Sequence, residues 1–190
     1  MSRIILVSAT KMEHDGSEFI FTLPIFQIGI GKINASMNMQ KIIDEYKPDV
    51  VINFGSCGNL KSHPIGKVLK VGAVHNDIDC RPYSEYGITA EDDIGTIKIS
   101  DSDINLFTTD IIYNKNRTDY SDSYLSMINS CDIVDMEGYS LAYVCRKNRV
   151  QFDSYKWVSD DGDVENWTKN AAIGYKNFRY IIEELYYSDF

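Results

Sequence analysis

The chain has 190 residues, 44% hydrophobic and 25% charged, which fits a single globular domain with a sizeable core and argues against long disorder. Its formal net charge of -9 sets up a field that repels nucleic-acid backbones and anionic membrane surfaces, which argues against a nucleic-acid partner and leaves a small substrate open. No window approaches the ~18 apolar residues of a membrane span, and Cys57, Cys80, Cys131 and Cys145 form no CxxC or zinc-finger spacing, the pattern of reduced, mostly buried thiols in a cytoplasmic protein.

The predicted elements alternate in type. "IILVSA" (Ile4–Ala9) is short, apolar and β-branched, as a buried first strand should be; its apolar run is too short for a signal peptide. "EFIFTLP" and "IFQIGI" read as two strands joined near Pro24. "NASMNMQKIIDEY" (Asn34–Tyr46) is helical, with Met37, Ile42 and Ile43 able to share a face and Pro48 beyond its end. "PDVVINFGS" is a buried strand running into a glycine-rich turn, and "GKVLKVGAVHNDID" and "GTIKIS" are strand-rich. "SDSYLSMIN" is a short helix with an N-cap serine. "CDIVDMEGYSLAYVCRKN" turns from strand to helix near Asp135 and Met136. "FDSYKWVSD" is a strand, and "NWTKNAAIGYKNFRYIIEELYY" closes the chain as one long helix. Alternation of this kind predicts an α/β domain over residues 1–190, with helices covering a mostly parallel or mixed sheet.

In such folds ligands gather at the carboxyl ends of strands. Four turns with chemistry in them sit there: "SATKME", "NFGSCGN", "VDMEG" and "WVSDDGD". Each also has a plain structural reading. The glycine-rich "NFGSCGN" exposes backbone N–H groups to anions or sugar hydroxyls, yet lacks the GK[ST] of a phosphate loop and is ordinary turn chemistry when taken alone. Glu137 at a helix start is favoured by the helix dipole and equally suits two sugar hydroxyls. "SDDGD" misses calcium-loop spacing because Gly162 follows the second acid, not the third. "GIGKIN" has Asn34 where a dinucleotide loop needs its third glycine, so it reads as a tight turn. "HND" (His75–Asp77) reads as polar decoration at a strand end, and no serine elbow supports a hydrolase triad.

Together these motifs resemble the nucleoside phosphorylase and nucleosidase superfamily, most of all the bacterial 5′-methylthioadenosine/S-adenosylhomocysteine nucleosidases. The segments that carry the resemblance, in matching order, are "SATKME", "GIGKINA", "VINFGSCGNL", "VDMEGYSLAYVC" and "KWVSDDGD". It implies a three-layer phosphorylase/hydrolase-like fold with a central mixed sheet flanked by helices. It also implies water-driven cleavage of the N-glycosidic bond of a purine nucleoside, without metal or organic cofactor, in a homodimer. By the resemblance Asp160 is the acid that protonates the leaving base, Ser159 holds it, and Glu13 activates the water. Glu137 grips the ribose hydroxyls and Met136 packs on the sugar. Ser56 and Gly58 belong to the glycine-rich loop of the site.

The chain departs from that pattern at three places. Lys156 stands where the family has an arginine near the water, keeping the charge but losing the bidentate fork. The segment between "VGAVHNDID" and "TTDIIYN" is short. The aromatic residue that stacks on the base falls on Ile112, with Tyr113 beside it. Two other functions are compatible with the motifs: a phosphate-dependent phosphorylase, and a nucleoside-binding protein without catalysis. Against the first, Asn53 stands where phosphorylase relatives carry an arginine, and "SATKME" lacks their glycine-aspartate-proline turn. Against the second, Glu13, Glu137 and Asp160 are all present.

Overall fold

The apolar residues of the central strands alternate between two cores, and that alternation dictates the layering. On the strands Ile4–Ser8 (β1) and Val50–Asn59 (β4), Ile5, Val7 and Val51 point into one core while Leu6, Ile52 and Phe54 point into the other. Helices Lys32–Tyr46 (α1) and Gly138–Lys147 (α3) close the first core, with Ala35, Met39 and Ile43 meeting Leu141 and Cys145. Tyr175, Phe178 and Ile182 of the helix Tyr175–Tyr186 (α5) close the second. A strand buried on both faces needs apolar side chains at odd and even positions alike, which is why these runs lack polar alternation.

The computed structural model describes residues 2–186. Within them ten strands form a mixed sheet, completed by Phe19–Ile20 (β2), Leu23–Gln27 (β3), Val68–Lys70 (β5), Ala73–Asn76 (β6), Ile97–Lys98 (β7), Asn105–Thr108 (β8), Ile133–Asp135 (β9) and Gln151–Asp160 (β10). The order is β2-β3-β1-β4-β9-β8-β6-β7, with β10 pairing β4 and β5. β1 runs parallel to β3 and β4, β4 to β10, and β8 to β6 and β9; the remaining pairs are antiparallel. Helices Asp122–Ser130 (α2) and Val164–Asn170 (α4) complete the set of five among the described residues. The expected α/β class and mixed sheet are therefore present.

Four expectations change in detail. The two-strand reading around Pro24 is right, but the join is at Phe21 and Thr22, and Pro24 lies inside β3 opposite Phe19 of the two-residue edge strand β2. α1 begins at Lys32, two residues before the expected Asn34. β8 was not anticipated; its four residues earn no local signal and become a strand only by pairing with β6 and β9.

The expected closing helix is two helices, and its last residue, Tyr187, lies outside the described residues. Trp157 breaks it. The Trp157 indole N–H donates to the Ala171 carbonyl at 2.8 Å, and a Cβ at Gly174 would fall 2.3 Å from the Trp157 side chain. Only glycine permits that approach, and the chain turns there to lay α5 on the sheet. The N-cap expectation for α2 holds: the Ser121 hydroxyl accepts from the Tyr124 amide at 3.2 Å. No helix among the described residues is long and apolar enough to cross a membrane.

Candidate active site

The carboxyl ends of β1, β4, β8, β9 and β10 surround a cavity of about 240 Å³. The turn after β1 contributes Ala9, Thr10 and Glu13, and β4 contributes Ser56, Cys57 and Gly58. The loop after β8 supplies Ile111, Ile112 and Tyr113; β9 and its exit supply Val134, Asp135, Met136 and Glu137. Asp160 ends β10, Val164 and Trp167 come from α4, and Ile30 from the turn before α1. Eight of the ten residues marked from the sequence thus share one wall system: Glu13, Ser56, Gly58, Ile112, Tyr113, Met136, Glu137 and Asp160. Ser159 and Lys156 stand behind it.

Glu13 is held by four donors. The Ser56 amide and hydroxyl reach its Oε1 at 2.8 and 2.9 Å, and the amides of Ala9 and Thr10 reach its Oε2 at 3.0 and 3.1 Å. A carboxylate this buried is retained only with such a complete set of partners. Gly55 makes the room: a Cβ there would stand 2.5 Å from Glu13 Oε1.

Asp160 reaches the cavity through an irregularity in β10. Val158 pairs with Cys57 and Asp160 with Gly58, so Ser159 is one residue extra against β4. A bulge of this kind re-aims the side chains around it. Gly162, at φ +90°, turns its amide back to Asp160 Oδ1 at 2.8 Å. Ser159 Oγ lies 2.7 Å from Asp160 Oδ2 and 3.1 Å from the Cys57 carbonyl. That hydroxyl is matched to both protonation states. It donates to an ionised Asp160, or accepts from a protonated one while donating to Cys57.

Glu137 Oε1 accepts from the Gly31 amide at 3.0 Å, which draws into the site the glycine turn before α1 that read from its sequence as a tight turn. Burial, then the neighbouring Asp135 charge, pushes the Glu137 carboxyl up to about 8, against the pull of Lys156 and the Gly31 amide. Lys156 does not reach the cavity wall. Its Nζ pairs with Asp135 Oδ2 at 2.9 Å, with both side chains at most 2% exposed. Burial pulls the ammonium's pKa down, and Asp135, Glu137 and Glu13 overcome that pull, so it stands above the ordinary lysine value. Asp135 is further held by the Thr108 hydroxyl at 2.7 Å and the Gly138 amide at 2.9 Å.

Ile112 is 60% exposed at the mouth, whereas Tyr113 packs inward against the positions of Gly58 and Gly162. Of the two residues marked for the base, the ring in contact with the inner wall is therefore Tyr113. Asp161 pairs with Lys115 on the surface, and Asp163 caps α4 by accepting from the Glu165 amide at 2.9 Å. Asp77 of "HND" is tied to Lys32 and the Thr109 hydroxyl, outside the cavity. Among the described residues no group of three His, Cys, Asp or Glu side chains is placed to hold a metal ion.

The sequence reading missed Asp135, Gly31 and Trp167. Asp135 had a signal, a second acid two residues before Glu137. Trp167 had none, lying in what read as the first turn of a helix.

Residues 16–99 match the Phosphorylase superfamily. The chain is 30% identical over 164 residues to a 5′-methylthioadenosine/S-adenosylhomocysteine nucleosidase of Exiguobacterium sp., a match that covers 74% of this chain and 68% of the relative. It is 28% identical over 177 residues to the enzyme of the same name from Buchnera aphidicola, covering 80% and 71%. The fold matches a Helicobacter pylori nucleosidase solved with 5′-methylthioadenosine in its active site, with a TM-score of 0.83 at 18% identity over 97% of this chain and all of that one. By sequence, the chain belongs to the 5′-methylthioadenosine/S-adenosylhomocysteine nucleosidase family of the phosphorylase superfamily.

Proposed function

We propose that this protein hydrolyses the N-glycosidic bond of a purine nucleoside, methylthioadenosine, S-adenosylhomocysteine or a close relative, releasing adenine and a ribose derivative. The observation that carries the reading is the convergence of Glu13, Glu137 and Asp160 on one cavity that has no lysine, arginine or histidine among its described lining residues.

Adenine leaves poorly as an anion, so Asp160 donates a proton to N7 as the C1′–N9 bond breaks and its electron pair moves to the base. Ser159 orients that carboxyl. The sugar becomes oxocarbenium-like, and the surrounding carboxylates stabilise its charge. Glu13 takes a proton from the water whose oxygen bonds to C1′. Glu13 then releases that proton to solvent and Asp160 takes one up, which restores both groups for the next turnover. Glu137 holds the ribose 2′- and 3′-hydroxyls through the oxygen that Gly31 leaves available, with Met136 against the sugar. Ser56 and Gly58 line the sugar and base side, and Tyr113 lies along the base with Ile112 at the entrance. Lys156 acts from behind the wall, by its charge.

Phosphorolysis is disfavoured on electrostatic grounds. A phosphate would find no cation among the described lining residues to hold its charge, with Lys156 committed to Asp135 behind the wall. The two amides at the start of α1, which would otherwise suit an anion, are bonded to Glu137 and Asp110. The enzyme works as one domain, in a homodimer, in the cytoplasm, with no metal or cofactor.

The test is incubation with methylthioadenosine, S-adenosylhomocysteine, adenosine and inosine, with and without phosphate, measuring free base and free sugar. Base release independent of phosphate is expected. Phosphate-dependent release with sugar phosphate formed would make it a phosphorylase, and no release from any nucleoside would make it a binding protein.

A further inference from the structure

Trp167 sits on α4, a helix with no buried residue of its own, and its indole reaches across to β4. Trp167 Nε1 lies 3.0 Å from Ser56 Oγ, and that Oγ lies 2.9 Å from Glu13 Oε1. An indole N–H can only donate, and an ionised carboxylate can only accept. The direction of the chain is therefore fixed: Trp167 N–H to Ser56 Oγ, and Ser56 O–H to Glu13. A serine hydroxyl with one free neighbour can rotate its proton away. Here the rotor is set.

We infer that Trp167 is a positioning residue for Glu13, acting through Ser56 to hold the carboxylate as an oriented proton acceptor. This role presupposes that the protein is a hydrolase. α4 is tied at its other end as well, where Asn170 Nδ2 donates to the Ser159 carbonyl at 2.8 Å. The same short helix thus touches the residue next to Glu13's oxygen and the residue next to Asp160. Seating α4 sets both ends of the site at once, and the indole body closes the apolar side of the cavity beside Val164.

The plainer alternative is that Trp167 is only an apolar wall. Trp167→Phe separates the two, because it keeps an aromatic wall and removes the N–H. With methylthioadenosine as substrate, kcat should fall about tenfold, the loss of one charge-linked hydrogen bond, while KM stays within about twofold. In a Ser56→Ala background, Trp167→Phe should add nothing further to the loss. A second readout is independent of turnover. Glu13→Gln should move the Trp167 indole N–H resonance and leave that of Trp157, bonded to the Ala171 carbonyl, in place. Unchanged kcat in Trp167→Phe, a change confined to KM, additive losses with Ser56→Ala, or an indole resonance indifferent to Glu13→Gln would each overturn the inference. A wild-type enzyme inactive on every nucleoside would overturn the hydrolase reading instead, and the resonance would still decide the hydrogen-bond chain.

Discussion

The ammonium of Lys156 lies 2.9 Å from a carboxylate oxygen of Asp135, and neither side chain meets solvent. Two charges so placed are held only by each other and by the hydrogen bonds around them. Removing one leaves the other buried and unpaired, which costs about 3–5 kcal/mol. Lys156→Met should therefore lower unfolding stability by roughly that amount in urea titration. The double variant Lys156→Met/Asp135→Asn should regain much of the loss, since no charge is then stranded. A single variant as stable as the wild type would show that Lys156 is not the counter-ion the geometry indicates.

The acids of "SDDGD" separate sharply. Asp160 is buried and bonded to Ser159 and Gly162, while Asp161 is half exposed and pairs with Lys115. Asp160→Asn should reduce kcat by about 10² to 10⁴, the usual contribution of a positioned proton donor. Asp161→Asn should change it by less than about threefold, because an exposed ion pair contributes about 0–1 kcal/mol. Equal losses in a base-release assay would mean the proton comes from elsewhere.

Glu137 makes stability depend on pH. Its carboxyl rises from an ordinary 4.5 to about 8 in the folded protein, through burial and then Asp135. The folded state holds the proton more tightly than the unfolded one, so the stability linked to it is complete below the ordinary value and is lost as pH climbs through about 8. Glu137→Gln keeps an oxygen for the Gly31 amide and does not titrate. The stability of the wild type relative to this variant should fall steadily between the two values, read by urea unfolding at several pH points. A constant difference would refute the upward shift.

Gly55 is the space Glu13 occupies. Gly55→Ala places a methyl 2.5 Å from Glu13 Oε1, and the carboxylate must give way. Displacement of a catalytic group by about 1 Å costs on the order of 10² in rate. We expect kcat/KM to fall by about that factor with the circular dichroism spectrum kept. Full activity would show that Glu13 need not sit where Ser56, Ala9 and Thr10 hold it.

Much of the site was legible because its residues lie in turns with a distinctive local composition. "SATKME", "VDMEG" and "WVSDDGD" each place a carboxylate at a strand end, and the strand-helix alternation says that such ends share one edge of the sheet. The α/β class follows from the alternation, whereas the choice of Glu13, Glu137 and Asp160 among the acids of these turns came from the resemblance to the nucleosidase family. The strand β8 was not legible, since Asn105–Thr108 is held by partners on both sides and not by local preference. Nor was the break between α4 and α5, which Trp157 imposes from another element through Gly174.

What the sequence by itself determined is which acids this protein has and roughly where along the strands they fall, because periodicity and turn composition are local. Which partner each acid takes was decided only by tertiary structure. Lys156 went to Asp135 and not to the cavity, Gly31 joined Glu137 across 106 residues, and Trp167 reached Ser56 across 111. Hydrogen bonds and buried charges are satisfied by whatever the fold brings within about 3 Å, and no local pattern encodes that distance.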